Sequence, residues 1–212
     1  MENCVIRQMV LGMVGTNCYF VSNLETKEMF VVDPADSAGR IQTFAEQHGY
    51  KPVGILLTHG HFDHILAVNE LKQAWGVPVY ANAIEAEVLE NSRKNLSYGM
   101  GGCPYETKAD HYLNGGDVFE LAGFQIKMIH TPGHTVGSCC YYIEEEAVLL
   151  SGDTLFEGSC GRTDFPGGSM KTIVRSIQDK LFVLPEDVVV LSGHGGSTTI
   201  GQEKRYNFVA GM

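Results

Sequence analysis

The stretch LLTHGHFDHIL, residues 56–66, contains His59, His61, Asp63 and His64 directly after an apolar run. In an extended segment, side chains two positions apart project to the same side, so His59 and His61 can bind one metal ion together. Asp63 and His64 fall where a helix is predicted to begin, and the turn into it directs their side chains elsewhere. The stretch therefore predicts a strand, two adjacent half-sites for metal ions, and a helix.

Three later apolar runs also end beside glycine and a residue of a metal-ligand type. FQIKMI precedes HTPGH with His134, AVLL precedes SGD with Asp153, and DVVVL precedes SGHG with His194. Ligand sites form beyond the carboxyl ends of strands in sheets with helical crossovers, and glycine lets several loops approach closely. We therefore expect four loops to build one site, in which His134 completes the first half-site, His194 the second, and Asp153 reaches both.

Imidazole and carboxylate ligands suit zinc, ferrous iron or manganese, and the absence of cysteine from these positions argues against a closed structural zinc site. Each ion would have three or four protein ligands and an open position. This pattern is typical of catalysis, so the sequence predicts two divalent metal ions as cofactors, zinc first and iron or manganese as alternatives.

Short β-type runs alternate with helical patterns across both halves of the chain. Helices are predicted over residues 37–49, with Ser37 as N-cap, over 63–75, and over 169–182. The alternation predicts two mixed sheets packed face to face with helices outside, a four-layer αβ/βα sandwich in a single domain of residues 1–212. Residues 92–116 have the weakest pattern and are predicted to be a long loop, a candidate substrate lid.

The 212 residues carry a formal net charge of -10 and no Lys/Arg cluster, which disfavours nucleic acid and anionic membranes as partners. The start MENCVIRQMVLG does not have the pattern of a signal peptide, and no apolar run reaches membrane-spanning length. We expect a cytoplasmic protein. The six cysteines form no C-x-x-C pair and are expected to be reduced thiols. Among them, Cys139, Cys140 and Cys160 are expected to be packing residues. The oligomeric state is left open.

The motifs THGHFDH, TPGHT, SGDTLF and SGHGG, in this order and spacing, resemble the metallo-β-lactamase superfamily over essentially the whole chain. TLFEGSCGRTDFPGGS and GHGGSTTIGQE are similar to the short glyoxalase II-like hydrolases, known as hydroxyacylglutathione hydrolases. The resemblance implies the αβ/βα sandwich. It implies two ligand sets, namely His59, His61, His134 and Asp153 for one ion, and Asp63, His64, Asp153 and His194 for the other.

The resemblance also implies the activity, which is hydrolysis of a small thioester or ester by hydroxide generated at the metal centre. Asp63 and Asp153 are the expected catalytic carboxylates, Asp63 orienting the nucleophile and Asp153 bridging the ions. Arg162 is expected beside the mouth of the site, either binding a substrate carboxylate or forming a structural ion pair. Glycines 195 and 196 stand where longer glyoxalase II enzymes place a substrate-contacting tyrosine. Little beyond one predicted helix follows His194, where those enzymes have an extra helical domain, so we expect that the thiol need not be glutathione.

Other functions remain open on the same residues. GSCGRTDF also resembles persulfide dioxygenases, which would hold a single iron through His59, His134 and Asp153. A lactonase or a non-catalytic metal-binding module ranks lower, and a β-lactamase would usually have cysteine at the position of Asp153. Asp33 either caps a turn or holds a ligand histidine. We expect no metal role for the remaining histidines, which are His48, His111 and His130.

Overall fold

In the computed structural model, which describes residues 3–212, the first half of the chain forms a mixed sheet. Its strands lie in chain order and are β1 (Cys4–Leu11), β2 (Thr16–Asn23), β3 (Glu28–Val32), β4 (Lys51–Leu56), β5 (Val79–Asn82) and β6 (His111–Leu113). The pairings from β1 to β3 are antiparallel, and those from β3 to β6 are parallel. The parallel strands direct their carboxyl ends to one edge, where the loop after β4 carries the first histidines.

The second half forms another mixed sheet and a short hairpin. Its strands are β7 (Val118–Leu121), β8 (Phe124–His130), β9 (Cys139–Ile143), β10 (Val148–Gly152), β11 (Leu155–Phe156), β12 (Ser159–Cys160), β13 (Val189–Ser192) and β14 (Thr198–Thr199). The order across the sheet is β14, β13, β10, β9, β8 and β7, and β11 pairs with β12. Strands β10 and β13 are parallel neighbours, which brings the loops that follow them together.

Helices cover the outer faces of both sheets. The α-helices are α1 (Ala38–His48), α2 (Phe62–Ile65), α3 (Val68–Trp75), α4 (Ala86–Leu89), α5 (Met170–Ser176) and α6 (Ile200–Tyr206). Short 3₁₀ segments occupy Ala83–Glu85, Glu144–Glu146 and Phe208–Gly211, and α5 continues as a π-helical segment, Ile177–Leu181. Across residues 3–212, no helix has the length and hydrophobicity needed to span a membrane.

Buried apolar side chains of the described residues form one cluster between the sheets and one on the outer face of each. Strand β2 illustrates the two-residue period of a strand, because Phe20 packs outward beneath α1 and α3, whereas Tyr19 and Val21 face the second sheet. Strand β9 alternates in the same way, with Tyr141 inward and Cys140 outward beneath α5. These clusters confirm the predicted four-layer αβ/βα sandwich.

The helix predicted over 63–75 is wrong in one respect, because it is interrupted between α2 and α3. The Ala67 N–H donates to Pro34 O at 3.0 Å rather than to the carbonyl one turn earlier in its own helix. This contact with the loop after β3 overrides a continuous helical pattern. It leaves α2 as a single turn that carries Asp63 and His64.

The prediction of an unstructured loop over 92–116 is also wrong in part. Strand β6 lies inside it and pairs in parallel with β5. The Asp110 N–H donates to Val79 O at 2.8 Å, and the Asp110 carboxylate accepts from the Val79 N–H at 2.9 Å. A strand of three residues is too short to give an alternating pattern, so the edge of β5 rather than the local sequence determines it.

The helix ends follow the sequence with one exception. Ser169 accepts from the Thr172 N–H at 3.3 Å, as predicted for an N-cap. Ser37, the predicted N-cap of α1, has a left-handed backbone with φ of 54° and makes no side-chain capping bond. Its hydroxyl instead donates to the Asp36 carboxylate at 3.2 Å. All six cysteines lie within residues 3–212 and none forms a disulfide, as expected.

Candidate metal centre

The predicted loops after β4, β8, β10 and β13 meet at one edge of the sandwich. Three ring nitrogens from two of these loops form its first cluster. His61 Nδ1 lies 2.9 Å from His134 Nε2, which lies 3.2 Å from His59 Nε2. Burial lowers the pKa of His59 well below its ordinary value, and burial together with the neighbouring His134 lowers the pKa of His61 to about 3. Neutral rings keep a lone pair for a metal ion, so the cluster has the chemistry of three imidazole ligands.

The second cluster consists of Asp63, His64 and His194. His194 Nε2 lies 3.4 Å from Asp63 Oδ2, and His64 Nε2 lies 3.7 Å from the same oxygen. Burial alone would raise the pKa of Asp63, but the two histidines lower it far below its ordinary value. The carboxylate is therefore ionised and directed at both rings. Its orientation is supported by the Thr16 hydroxyl, which donates to Oδ2 at 3.1 Å.

Asp153 lies between the two clusters. Its Oδ2 is 3.5 Å from His134 Nε2 in the first cluster and 3.5 Å from His194 Nε2 in the second. Its Oδ1 is 3.4 Å from His64 Nε2. The loops thus bring together all seven predicted ligand residues, and Asp153 has the position expected of a bridging carboxylate.

Two observations indicate that these residues fit metal ions. His64 Nε2 and Asp153 Oδ1 are buried, and neither has a hydrogen-bond partner among residues 3–212. Burial alone would lower the pKa of His64, but Asp153, Asp63 and Asp33 outweigh burial and raise it to about 10. The carboxylates therefore stabilise positive charge at this point, and a divalent cation would satisfy both orphaned atoms.

Asp33 holds the second cluster from behind, which is the second of the two roles considered for it. Its Oδ2 accepts from His64 Nδ1 at 2.9 Å and from the Thr58 hydroxyl at 2.6 Å, and its Oδ1 accepts from the Thr58 N–H at 2.8 Å. A donor at His64 Nδ1 fixes the tautomer whose Nε2 lone pair faces the centre. In the first cluster, His134 Nδ1 donates to Arg162 O at 2.7 Å, with the same effect.

Glu85 supports the first cluster, a role that no sequence pattern predicts. Its Oε1 accepts from the Gly60 N–H at 2.9 Å, and its Oε2 accepts from the Gly137 N–H at 2.8 Å and the Thr135 hydroxyl at 3.0 Å. Glu85 is 1% exposed and ties the loop of His59 and His61 to the loop of His134. Within AIEAEVLEN it resembles the exposed charges of an ordinary helix.

Strand β2 holds the loop that carries His194. The Asn17 side-chain amide donates to Ser192 O at 2.8 Å and to Gly195 O at 3.1 Å. The Tyr19 hydroxyl also donates to Ser192 O at 2.8 Å. Because β2 belongs to the first sheet and the loop follows β13 of the second, these bonds fix the two sheets at the site.

A cleft of about 390 Å³ opens above the centre. Arg162 lines it, as expected, and donates to Asp164 from Nε at 2.7 Å and from Nη2 at 2.6 Å. Its guanidinium also lies over the Phe165 ring, 4.0 Å from the centroid. Of the two roles expected for Arg162, the structure contains the ion pair. Its position in the cleft is also the one expected for binding a substrate carboxylate, and that role stays a prediction.

The three histidines expected to have no metal role lie outside the metal-ligand clusters of residues 3–212. His48 Nδ1 donates to Phe44 O at 2.9 Å, and His130 Nε2 donates to Val136 O at 3.0 Å. His111 stacks on an aromatic ring of β5, with centroids 4.7 Å apart. Each has an ordinary partner.

Comparison with known proteins agrees with this geometry. The model of the metallo-beta-lactamase superfamily matches residues 11–194. A probable metallo-hydrolase of Bacillus subtilis, YqgX, is 37% identical over 202 residues, covering 95% of both chains. The hydroxyacylglutathione hydrolase GloC of Haemophilus influenzae is 37% identical over 193 residues, covering 90% of this chain and 91% of its own.

Solved structures of other proteins share the fold. The B3 metallo-beta-lactamase BLEG-1 superposes with a TM-score of 0.92 at 41% identity, over 96% of this chain and 98% of that one. TTHA1623, solved in a di-iron-bound form, superposes with a TM-score of 0.83 at 35% identity, over 95% of this chain and 98% of that one.

Proposed function

The chain belongs to the metallo-beta-lactamase superfamily and is a metallo-hydrolase of that superfamily, and on this premise we propose that it hydrolyses small thioesters, such as hydroxyacyl thioesters, at a dinuclear metal centre. The position of Asp153 between the two clusters carries the proposal, because one carboxylate within 3.5 Å of ring nitrogens in both clusters suits a pair of ions. The similarity to GloC, named as a hydroxyacylglutathione hydrolase, supports thioester hydrolysis.

His59, His61, His134 and Asp153 would hold one ion, and Asp63, His64, His194 and Asp153 the other. When bound, such ions supply hydroxide at neutral pH and polarise a carbonyl oxygen. Asp63 reaches the cleft and keeps an ionised carboxylate, so it can orient the attacking group. Asp33, Glu85 and the Arg162 carbonyl fix the ligand loops and tautomers.

Zinc is the proposed metal because imidazole and carboxylate ligands suit it, and iron is the alternative because TTHA1623 binds two irons. Metal content of protein purified without added metal, measured together with thioesterase activity, tests the proposal. We expect about two ions per chain and turnover of thioesters. His64→Ala should lose the second ion and the turnover, whereas His48→Ala, at a histidine outside the clusters, should keep two ions and full turnover.

One ion per chain with persulfide-dependent oxygen uptake would instead support the iron dioxygenase, and activity on neither class would support a binding module. The same assays should include lactones, because a lactonase is one of the alternative functions.

A second candidate is hydrolysis of β-lactams. Asp153 argues against this function, because a β-lactamase would usually have cysteine there, but the 41% identity to BLEG-1, named as a B3 metallo-beta-lactamase, favours it. The same residues would act on a cyclic amide. Turnover of a chromogenic cephalosporin with higher kcat/KM than any thioester would make this the function.

A further inference from the structure

The cleft above the candidate metal centre has an apolar wall. Its side chains come from the β1–β2 turn, the segment after α4 and the β11–β12 hairpin region, and they are Val14, Leu96, Met100, Phe156 and Phe165. Val14 and Met100 are each 50% exposed, although both are large apolar residues. Single exposed apolar residues are ordinary, but several converging on one cleft above polar groups are typical of a ligand site.

Among residues 3–212, no unpaired Lys or Arg side chain lines the cleft. Within the described part of the chain, Arg162 is the one Lys or Arg side chain that lines it, and Asp164 accepts two hydrogen bonds from its guanidinium. Lys94 lines a neighbouring recess beside His61, where it pairs with Glu87. The chain also carries a formal net charge of -10, which disfavours the approach of polyanions.

From this wall and this charge distribution, we infer that the group seated in the cleft is apolar and uncharged. The inference rests on the proposed function and narrows it to thioesters with alkyl or aryl substituents, in preference to thioesters of anionic thiols such as glutathione. Hydrolysis adds one water: the carbon–oxygen bond forms, the carbon–sulfur bond breaks, and a carboxylic acid and a thiol are released.

Two substrate series test the inference on the metal-loaded protein. In the first, N-acetylcysteamine thioesters carry straight acyl chains of increasing length; in the second, one acyl group is joined to alkyl thiols of increasing length or to glutathione. One of the two alkyl groups, acyl or thiol, should contact the apolar wall. In the series that lengthens this group, we expect kcat/KM to rise about threefold per methylene. We also expect the glutathione thioester to be at least about tenfold poorer than its N-acetylcysteamine counterpart. Flat series, or a preference for the glutathione thioester, would overturn the inference.

Variants connect the preference to the wall. Met100→Ser and Val14→Ser should reduce the rise per methylene, whereas Val183→Ser, at a residue that is 71% exposed and outside the cleft, should leave it unchanged. Asp164→Asn frees the Arg162 guanidinium and should raise kcat/KM for the glutathione thioester about threefold at low salt. Because the Arg162–Asp164 pair is exposed, this gain should disappear at high salt. Unchanged preferences in all three cleft variants would contradict the assignment.

Binding separates this inference from the proposed function. Non-hydrolysable ketone analogues of both series, titrated into metal-loaded protein by calorimetry, should follow the same order of affinity. If analogues bind in that order but no thioester is hydrolysed, the thioesterase proposal fails and the apolar cleft stands. If thioesters are hydrolysed but affinity follows negative charge, the apolar cleft fails and the thioesterase proposal stands.

Discussion

At the scale of single residues, both clusters of the candidate metal centre depend on the side chain of Asp153. Backbone packing sets its position tightly, because a Cβ added to Gly193 would lie 2.2 Å from Asp153 Oδ1. A Cβ added to Gly161 would lie 1.9 Å from the Asp153 carbonyl oxygen. Glycine at both positions therefore lets the loops after β10, β12 and β13 close around the carboxylate.

Asp153→Asn should lower the metal content from about two ions to one or fewer, because an amide is a weaker ligand and cannot bridge two cations through two anionic oxygens. We expect kcat/KM to fall about a thousandfold or more. Metal analysis after dialysis, with thioester kinetics, checks both. Asp179→Asn, at an exposed carboxylate far from the ligand loops in sequence, is the control. A variant that retained two ions and full turnover would refute the bridging role.

Glu85 leads to a prediction for a residue that touches no expected ligand side chain. Glu85→Gln keeps the shape of the side chain but replaces one acceptor oxygen by an NH₂ donor. That donor then faces an N–H or hydroxyl donor of the ligand loops, so at least one hydrogen bond is lost. We expect about tenfold weaker binding at the cluster of His59, His61 and His134, the scale of effects from groups behind metal ligands. Competition with a chromophoric chelator measures it. Glu90→Gln, at a neighbouring exposed carboxylate, should bind metal normally; equal affinities in the two variants would contradict the role.

That the candidate ligand residues lie together could be predicted because their chemistry and spacing are local. His59, His61 and Asp63 are two residues apart, and each later ligand follows an apolar run and a glycine. Glu85 and Thr58 could not, since their roles consist of hydrogen bonds across the fold to groups that every chain contains. Such partners leave no pattern in one sequence.

At the scale of elements, strand β2 of the first sheet fixes a loop of the second sheet. Strand β2 fixes the loop after β13 through Asn17 and Tyr19, while the opposite end of β2 is fixed by Asn23, whose amide donates to Ala122 O at 3.0 Å. The same residue type thus anchors both ends of one strand, and only one end lies at the site.

This symmetry provides a matched pair of variants. Asn17→Asp and Asn23→Asp each replace an amide donor by a carboxylate facing carbonyl oxygens, so each should lower the free energy of unfolding by about 1–3 kcal/mol. Asn17→Asp should also weaken the ion held by Asp63, His64 and His194. Urea unfolding and metal titration measure the two effects. Equal metal affinity in both variants would contradict the anchoring role of Asn17.

Elements that are long or strongly patterned could be predicted, whereas those set by a neighbour could not. The helices α1 and α5 have an apolar face and a glycine or serine at an end. The break before α3 and the strand β6 arise from contacts with Pro34 and with β5, respectively. Because Pro34 and β5 lie far along the chain from the segments they determine, the local sequence could not predict either feature.

At the scale of the whole molecule, the metal centre joins two sheets that otherwise meet through an apolar layer. The layered fold follows from alternation of strand and helix patterns and could be predicted. Removal of metal should destabilise the whole chain, because His64 Nε2 and Asp153 Oδ1 are then buried without a partner. With each ion at about a thousand times its Kd, binding contributes about 4 kcal/mol per ion, or about 8 kcal/mol for the two ions together.

Removal of both ions by a chelator should therefore lower Tm by about 20 °C, using about 2–4 °C per kcal/mol for a chain of this size. Differential scanning calorimetry with and without a chelator measures the change, and zinc should restore it. In Asp153→Asn the chelator should have a much smaller effect. The same large shift in both proteins would mean that the stabilising ion binds elsewhere.

The ligands are distributed along the chain so that His59 comes early and His194 near residue 212. During synthesis on a ribosome, the first three histidines emerge long before the loop that completes the second cluster. The expected ligand set of the first ion is complete once Asp153 has been made, whereas that of the second ion also needs His194. We therefore expect the ion of the second cluster to bind later in synthesis than the ion of the first.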